Sequence, residues 1–291
     1  MPQALVTTGW LREHLGSPDV RVIDATWFLP NAGRDARADY DAAHIPGAVF
    51  FDLDEVCEPK DLHPHMVPSP LRFGQRVRKL GLGDGVRIVV YDDNRFFASA
   101  RVWWMFRFMG AEDVRVLDGG LAKWRAEGGP VTDEPTRASE RDFTVRQNNL
   151  IYREMDQVRA NLTTRREQLL DARSAARFHA QEPEPRAGLR GGHIPGARNL
   201  WYGELVAADG TLKPQAELRA LLHEAGIDLA QPIITSCGSG VSAALINLAL
   251  YELGVHHAAL YDGSWAEWGG QRDTPVATSV DVVIDLTATA R

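Results

Sequence analysis

The pentapeptide His44-Ile45-Pro46-Gly47-Ala48 returns without change as His193-Ile194-Pro195-Gly196-Ala197, and other landmarks return with it. A short apolar run ending in Asp-Ala precedes each copy: VIDATW from Val22 to Trp27, LLDARS from Leu169 to Ser174. Asp118-Gly119 and Asp262-Gly263 follow, and Trp124 and Trp268 each stand six residues after the aspartate. Chance similarity does not keep that order, so the chain is one unit written twice. At 291 residues it has about twice the usual length of a domain, roughly 150 residues.

Each copy alternates short β-branched runs with helical patterns. RVIDA, RIVVYD and VRVLD in the first half, and QLLDA, PIITS and AALYD in the second, read as buried strands of a parallel sheet. Helical segments are expected near 71–80 and 99–109, then near 214–224 and 242–253. This is the pattern of an α/β fold, each half a mainly parallel sheet with helices on both faces. The stretch from Ala126 to Asn149 is polar, rich in Gly, Pro and charge, and without apolar periodicity. It divides the chain into a first domain at 4–127, a linker at 128–149 and a second domain at 150–275. The tail after Pro275 alternates only weakly.

Composition excludes several functions. A net charge of −7 gives no basic footprint for nucleic acid or anionic lipid. No apolar run approaches the ~20 residues that cross a bilayer, so no membrane association is expected. The N-terminus has no cationic start and apolar core of the signal-peptide kind. With only Cys57 and Cys237 there is no disulfide framework, and the expected setting is the reducing cytoplasm.

The chemistry concentrates in Pro232-Ile-Ile-Thr-Ser-Cys237-Gly238-Ser239-Gly240-Val241-Ser242-Ala243, where a buried strand runs into a thiol, a Gly-spaced loop and a helix. Ligands of open α/β sheets bind at the carboxyl ends of strands, where Cys237 sits. Gly238 and Gly240 let the backbone curl so that successive N–H groups face one centre. Ser242 is placed to cap the helix, whose N-terminal field also favours an anion. Such surroundings favour a nucleophilic thiolate, whereas an inert core cysteine needs no Gly-X-Gly loop. Counting back 25 residues from Asp262 reaches Cys237, and the same count from Asp118 reaches Asp93. The first half therefore carries an aspartate in place of the nucleophile. A cysteine phosphatase would also use a thiolate in an anion-binding loop, but it needs a guanidinium at the sixth position after the cysteine, which here is Ala243.

With both HIPGA segments, both Asp-Gly…Trp segments and the cysteine loop, essentially the whole chain resembles the two-domain rhodanese-type sulfurtransferases. The loop C-G-S-G-V-S is similar to that of the 3-mercaptopyruvate sulfurtransferases within the family. Thiosulfate-specific members carry basic residues after the cysteine, where this chain has Gly238 and Ser239. The resemblance implies tandem rhodanese-like domains, the first without a nucleophile. It also implies transfer of sulfur from 3-mercaptopyruvate through a Cys237 persulfide to a thiol, thioredoxin or cyanide, with neither cofactor nor metal. By the same resemblance Arg177 and Arg186, in ARFHAQEPEPRAG, bind the substrate carboxylate and carbonyl. The backbone of Gly238, Gly240, Val241 and Ser242 cradles the sulfur. Asp54 and His65, from the other half, polarise Ser239 for proton transfer.

Alternatives on the same fold are a thiosulfate donor, or a sulfur carrier or binding module that has kept only the scaffold. His63 competes with His65 for the imidazole role. His44 and His193 occur in both halves and so read as structural, Trp103, Trp104 and Phe106 read as core, and Cys57 as a bystander or a redox partner.

Overall fold

The computed structural model describes residues 3–29, 31–59 and 63–278, so the tail beyond Thr278 lies outside the described residues. The first half builds a sheet from β1 (Leu5–Val6), β2 (Val20–Asp24), β3 (Val49–Phe50), β4 (Arg87–Tyr91) and β5 (Val114–Leu117). The second builds another from β6 (Tyr152–Arg153), β7 (Gln168–Asp171), β8 (Arg198–Asn199), β9 (Ile233–Ser236) and β10 (Ala259–Tyr261). The orders are β1-β5-β4-β2-β3 and β6-β10-β9-β7-β8, the same topology twice, and every pairing is parallel. The expected helices are found at Pro70–Lys79, Ser99–Phe108, Gln215–Glu224 and Ala243–Glu252. The strands that sequence reading missed are β1, β3, β6 and β8, each two residues long and too short to display a period of two.

Side chains along the inner strands alternate between two layers. Val20, Val22, Val89 and Tyr91 join Leu121 and Trp124 on one face of the first sheet, while Ile23, Ile88 and Val90 face the other. That second face merges with its counterpart in the other half into one continuous core. Inside it the Ser99–Phe108 and Ala243–Glu252 helices pack together, buried nearly all round. Trp103, Trp104 and Phe106 are core residues as expected. The irregular stretch before β6 lies along the first half, where the Arg146 and Asn148 N–H groups donate to the Met109 and Phe108 carbonyls at 2.9 and 2.7 Å. Gly83 permits this approach, since a Cβ there would stand 2.2 Å from the Asp142 carbonyl oxygen.

The repeat extends to individual hydrogen bonds. His44 Nδ1 lies 2.8 Å from the Tyr40 carbonyl and His193 Nδ1 2.8 Å from that of Phe178, each ring stacked on that residue. His44 also forms an antiparallel bridge with Thr132, and His193 one with Ala277. Both imidazoles clamp backbone, which agrees with their structural reading. Trp124 and Trp268 donate from Nε1 to the Pro130 and Pro275 carbonyls, both at 2.8 Å.

The register corrects one assignment. Asp24 pairs with Tyr91, as Asp171 does with Ser236, so the residue equivalent to Cys237 is Asp92 and not Asp93. The Leu121 N–H donates to the Asp92 carbonyl just as the Trp265 N–H donates to that of Cys237. The count from Asp118 failed because the first half has one residue more between the strand end and the Asp-Gly pair.

Candidate active site

β9 ends at Ser236 and the chain turns through Cys237–Ser242 into the Ala243–Glu252 helix. The Cys237 N–H donates to Ser264 Oγ (3.1 Å), and the Cys237 and Gly238 carbonyls accept from the Trp265 and Ala266 N–H groups at 2.9 and 2.8 Å. These bonds strap the loop to the turn after β10. Gly240 has φ +74°, and a Cβ there would lie 2.7 Å from the Asp262 carbonyl oxygen, so only glycine fits. The N–H groups from Gly238 to Ser242 donate to no described residue, and such a run of free backbone donors is able to hold an anion. Ser242 takes the N-cap position, but its side chain makes no capping bond, contrary to expectation. The Val241 side chain belongs to the core, so its backbone alone is available to a ligand.

Ser239 and His65 meet across the two halves, with His65 Nδ1 3.4 Å from Ser239 Oγ. His65 Nε2 lies 3.2 Å from Asp54 Oδ1, and Trp27 Nε1–H donates to Asp54 Oδ2 at 3.0 Å. Burial pushes the His65 imidazole below its ordinary range, against the pull of Asp54. In the neutral ring, Nε2–H donates to Asp54 and Nδ1 accepts from the Ser239 hydroxyl. His65, and not His63, supplies the imidazole.

The two arginines differ. Arg177 pairs with the buried Glu184, which also holds the buried Arg173. Gly238 lies under the Arg177 guanidinium, which would stand 3.0 Å from a Cβ at that position. Arg186 is half-buried and has no ion-pair or hydrogen-bond partner among the described residues. Burial lowers the pKa of its guanidinium while the nearby Cys237 sulfur favours its charge. Arg186 is thus a guanidinium near the thiol that makes no direct ion pair among the described residues.

Sequence reading missed several contributors. Arg101 is fully buried in the Ser99–Phe108 helix and donates to the Gly240 carbonyl (3.3 Å), the His65 carbonyl (2.7 Å) and Asp262 Oδ1 (2.5 Å). Its signal is an arginine in an otherwise apolar run, SARVWWMF. Trp27 and Glu184 carry no comparable signal. Trp27, Phe97 and Tyr202 form a chain of rings, at centroid spacings of 6.0 and 5.5 Å, from His65 toward the thiol. Cys57 is buried, and desolvation pushes its thiol up to about 12.

Comparison with known proteins gives the family. The rhodanese-like domain family matches residues 7–127 and again 154–271. The 3-mercaptopyruvate sulfurtransferase of Escherichia coli K12 is 41% identical over 272 residues, 93% of this chain and 96% of that protein. The thiosulfate sulfurtransferase of Rattus norvegicus is 42% identical over 273 residues, 91% and 92% of the two chains. The crystal structure of SseA, a 3-mercaptopyruvate sulfurtransferase from Escherichia coli, superposes with a TM-score of 0.84 at 38% identity, covering 91% of this chain and 99% of that one. With both halves matched and relatives aligned nearly end to end, the chain belongs to the rhodanese family.

Proposed function

We propose that the protein is a sulfurtransferase that takes sulfur from 3-mercaptopyruvate and passes it on through a persulfide at Cys237. The observation that carries this reading is the joining of an uncharged Cys-Gly-Ser-Gly loop to a Ser239–His65–Asp54 relay, with the unpaired Arg186 beside the thiol. Thiosulfate is a compact dianion with no carbon to protonate. Mercaptopyruvate needs a cation for its carboxylate and a proton for its carbon, and this site offers both.

In the first step the Cys237 thiolate attacks the substrate sulfur, an S–S bond forms and the C–S bond breaks. The electron pair passes to carbon and gives the enolate of pyruvate, its carboxylate and carbonyl held by Arg186 and Arg177. Ser239 Oγ, supported by neutral His65, relays the proton of the substrate thiol to the enolate carbon, which gives pyruvate and leaves the persulfide as its anion. The persulfide rests against the N–H groups of Gly238 to Ser242 until cyanide or a thiol, thioredoxin among them, attacks its outer sulfur and releases the Cys237 thiolate. Two free buried cysteines, one of them the nucleophile, suit a reducing compartment, and we assign the enzyme to the cytoplasm.

A thiosulfate donor is the second reading, favoured by the 42% identity to a thiosulfate sulfurtransferase. Incubation with either donor and cyanide, with thiocyanate and pyruvate both recorded and Cys237→Ser as control, separates the two. Mercaptopyruvate turnover well above thiosulfate turnover, absent in the control, is the expected result. A thiosulfate preference overturns the donor assignment and removes the reason for a proton relay at Ser239. Turnover of neither donor leaves a sulfur carrier or a binding module.

A further inference from the structure

The Ser239–His65 contact joins residues 174 apart in sequence, and each belongs to a different half. At 3.4 Å it is a long hydrogen bond, so small shifts of either backbone decide whether it exists. Arg101 touches both backbones. Nη1 donates to the carbonyl of Gly240, next to Ser239, and Nη2 donates to the carbonyl of His65 itself. The guanidinium is fixed in turn by Asp262, which also accepts the Val67 N–H at 2.8 Å, and by the Trp104 ring 4.7 Å below it. His65 has φ +61°, a left-handed conformation that a non-glycine residue keeps only when its surroundings enforce it. Here the enforcing contacts are the Arg101 bond to the His65 carbonyl and the Asp262 bond two residues further on.

We infer that Arg101 is a positioning residue for the proton relay, one guanidinium from the half without a thiol setting the distance between Ser239 and His65. The inference rests on the sulfurtransferase reading and adds to it. An arginine suits the task because its planar fork presents separate N–H groups to separate acceptors, whereas a lysine brings one mobile ammonium. The other reading of Arg101 is a buried ion pair that serves folding alone.

The test is Arg101→Lys, which keeps a cation for Asp262 but cannot span the two carbonyls, made in the parent and in Ser239→Ala. Should Arg101→Lys fail to fold, the pair Arg101→Met with Asp262→Asn removes both charges and leaves the amide oxygen to accept from Val67. In the parent, kcat with mercaptopyruvate falls about tenfold or more, because small misplacement of a reacting group is expensive, while KM stays within about twofold. In Ser239→Ala the same substitution lowers kcat by less than about twofold, since the contact that it would misplace is already gone. Alkylation of Cys237 by iodoacetamide keeps its rate to within about twofold, the reading for a loop left intact. The 15N signals of the His65 imidazole move in Arg101→Lys toward their positions in Ser239→Ala. Equal losses of kcat in the two backgrounds, or unmoved His65 signals, overturn the inference in favour of a folding role. If the parent releases no pyruvate from mercaptopyruvate, the functional reading fails, and the His65 signals still decide the placement of Ser239 by Arg101.

Discussion

The loops after β4 and β9 start at equivalent residues and deal with negative charge in opposite ways. In the first half the Asp92 carboxyl turns into its own loop and accepts from the N–H groups of Asn94, Phe96, Ala98 and Ser99 at 3.3, 3.1, 3.0 and 2.8 Å. In the second half the side chain is a thiol, and the N–H groups that follow donate to no described residue. A strand that ends in a tight turn before a helix directs backbone donors at one point, whatever residue stands there. One half closes that cradle with its own side chain, and the other leaves it open beside a thiol. The closed cradle still serves the open one, because Asp92 ties down the start of the helix that carries Arg101 into the catalytic loop.

Copying the closed state into the open loop has the largest expected effect. Cys237→Asp removes the nucleophile and supplies an internal anion for the free N–H groups. Thiocyanate release from either donor is expected to fall to background while the chain stays folded, with circular dichroism as the check on folding. Residual turnover in this variant would mean that Cys237 is not the nucleophile.

The halves also grip each other reciprocally. Asp262 accepts the Val67 N–H from the first half, and Asp118 accepts the Leu212 N–H from the second at 2.9 Å. Only Asp262 also neutralises a buried guanidinium. Asp262→Asn strands Arg101 and is expected to cost about 4 kcal/mol, whereas Asp118→Asn weakens one hydrogen bond and costs about 1 kcal/mol. Urea midpoints of the two variants measure the difference, and equal losses would mean that the Arg101 pair adds nothing. Asp92→Ala falls between them at about 3 kcal/mol, because it leaves several buried N–H groups without an acceptor.

How much of this could be read beforehand follows from the range of the forces involved. Strand and helix positions come from local apolar patterning, so RIVVYD and PIITS were legible, and two-residue edge strands such as β3 were not. The repeat made the missing thiol visible, yet counting along the chain chose Asp93, because only strand pairing reveals the extra residue after Asp92. The thiol loop announced itself by its glycines. Asp54 and His65 were legible through family resemblance alone, since nothing local distinguishes His65 from His63. The burial of Arg101 left one mark, a lone arginine in the run SARVWWMF, whereas the bond from Trp27 to Asp54 arises from tertiary packing and leaves no pattern in the sequence.

Arg186 sharpens the comparison at the level of substrate. It makes no ion pair with a described residue, unlike Arg34 in the first half, which is paired with both Asp39 and Asp93. Arg186→Met is expected to raise KM for mercaptopyruvate by about 10- to 100-fold, the loss of a charged hydrogen bond worth about 1.5–3 kcal/mol. KM for thiosulfate, which has no carboxylate, should change less. Equal changes for both donors would count against a carboxylate clamp.

The smallest expected effect concerns the arms that the halves lend each other. Counting back two residues from the N–H groups that Asp262 and Asp118 accept gives His65 on one arm and Gly210 on the other. At that position only the first arm carries a titratable group. Burial lowers the His65 pKa, and the nearby Arg101 and Arg186 push it the same way against Asp54. A histidine with a lowered folded pKa adds stability that is complete above its ordinary value of about 6.5 and is lost as pH falls through that value toward the folded one. His193 and His256, also lowered by burial, contribute over the same range. His65→Asn, a residue that tolerates a positive φ, should therefore flatten the acid-side fall in stability below pH ~6.5 without abolishing it. Melting temperatures of parent and variant from pH 7.5 down to 5 measure this. A variant curve parallel to the parent over that range would mean that the fold does not lower the His65 pKa, so that the neutral, accepting ring would be lost below pH ~6.5.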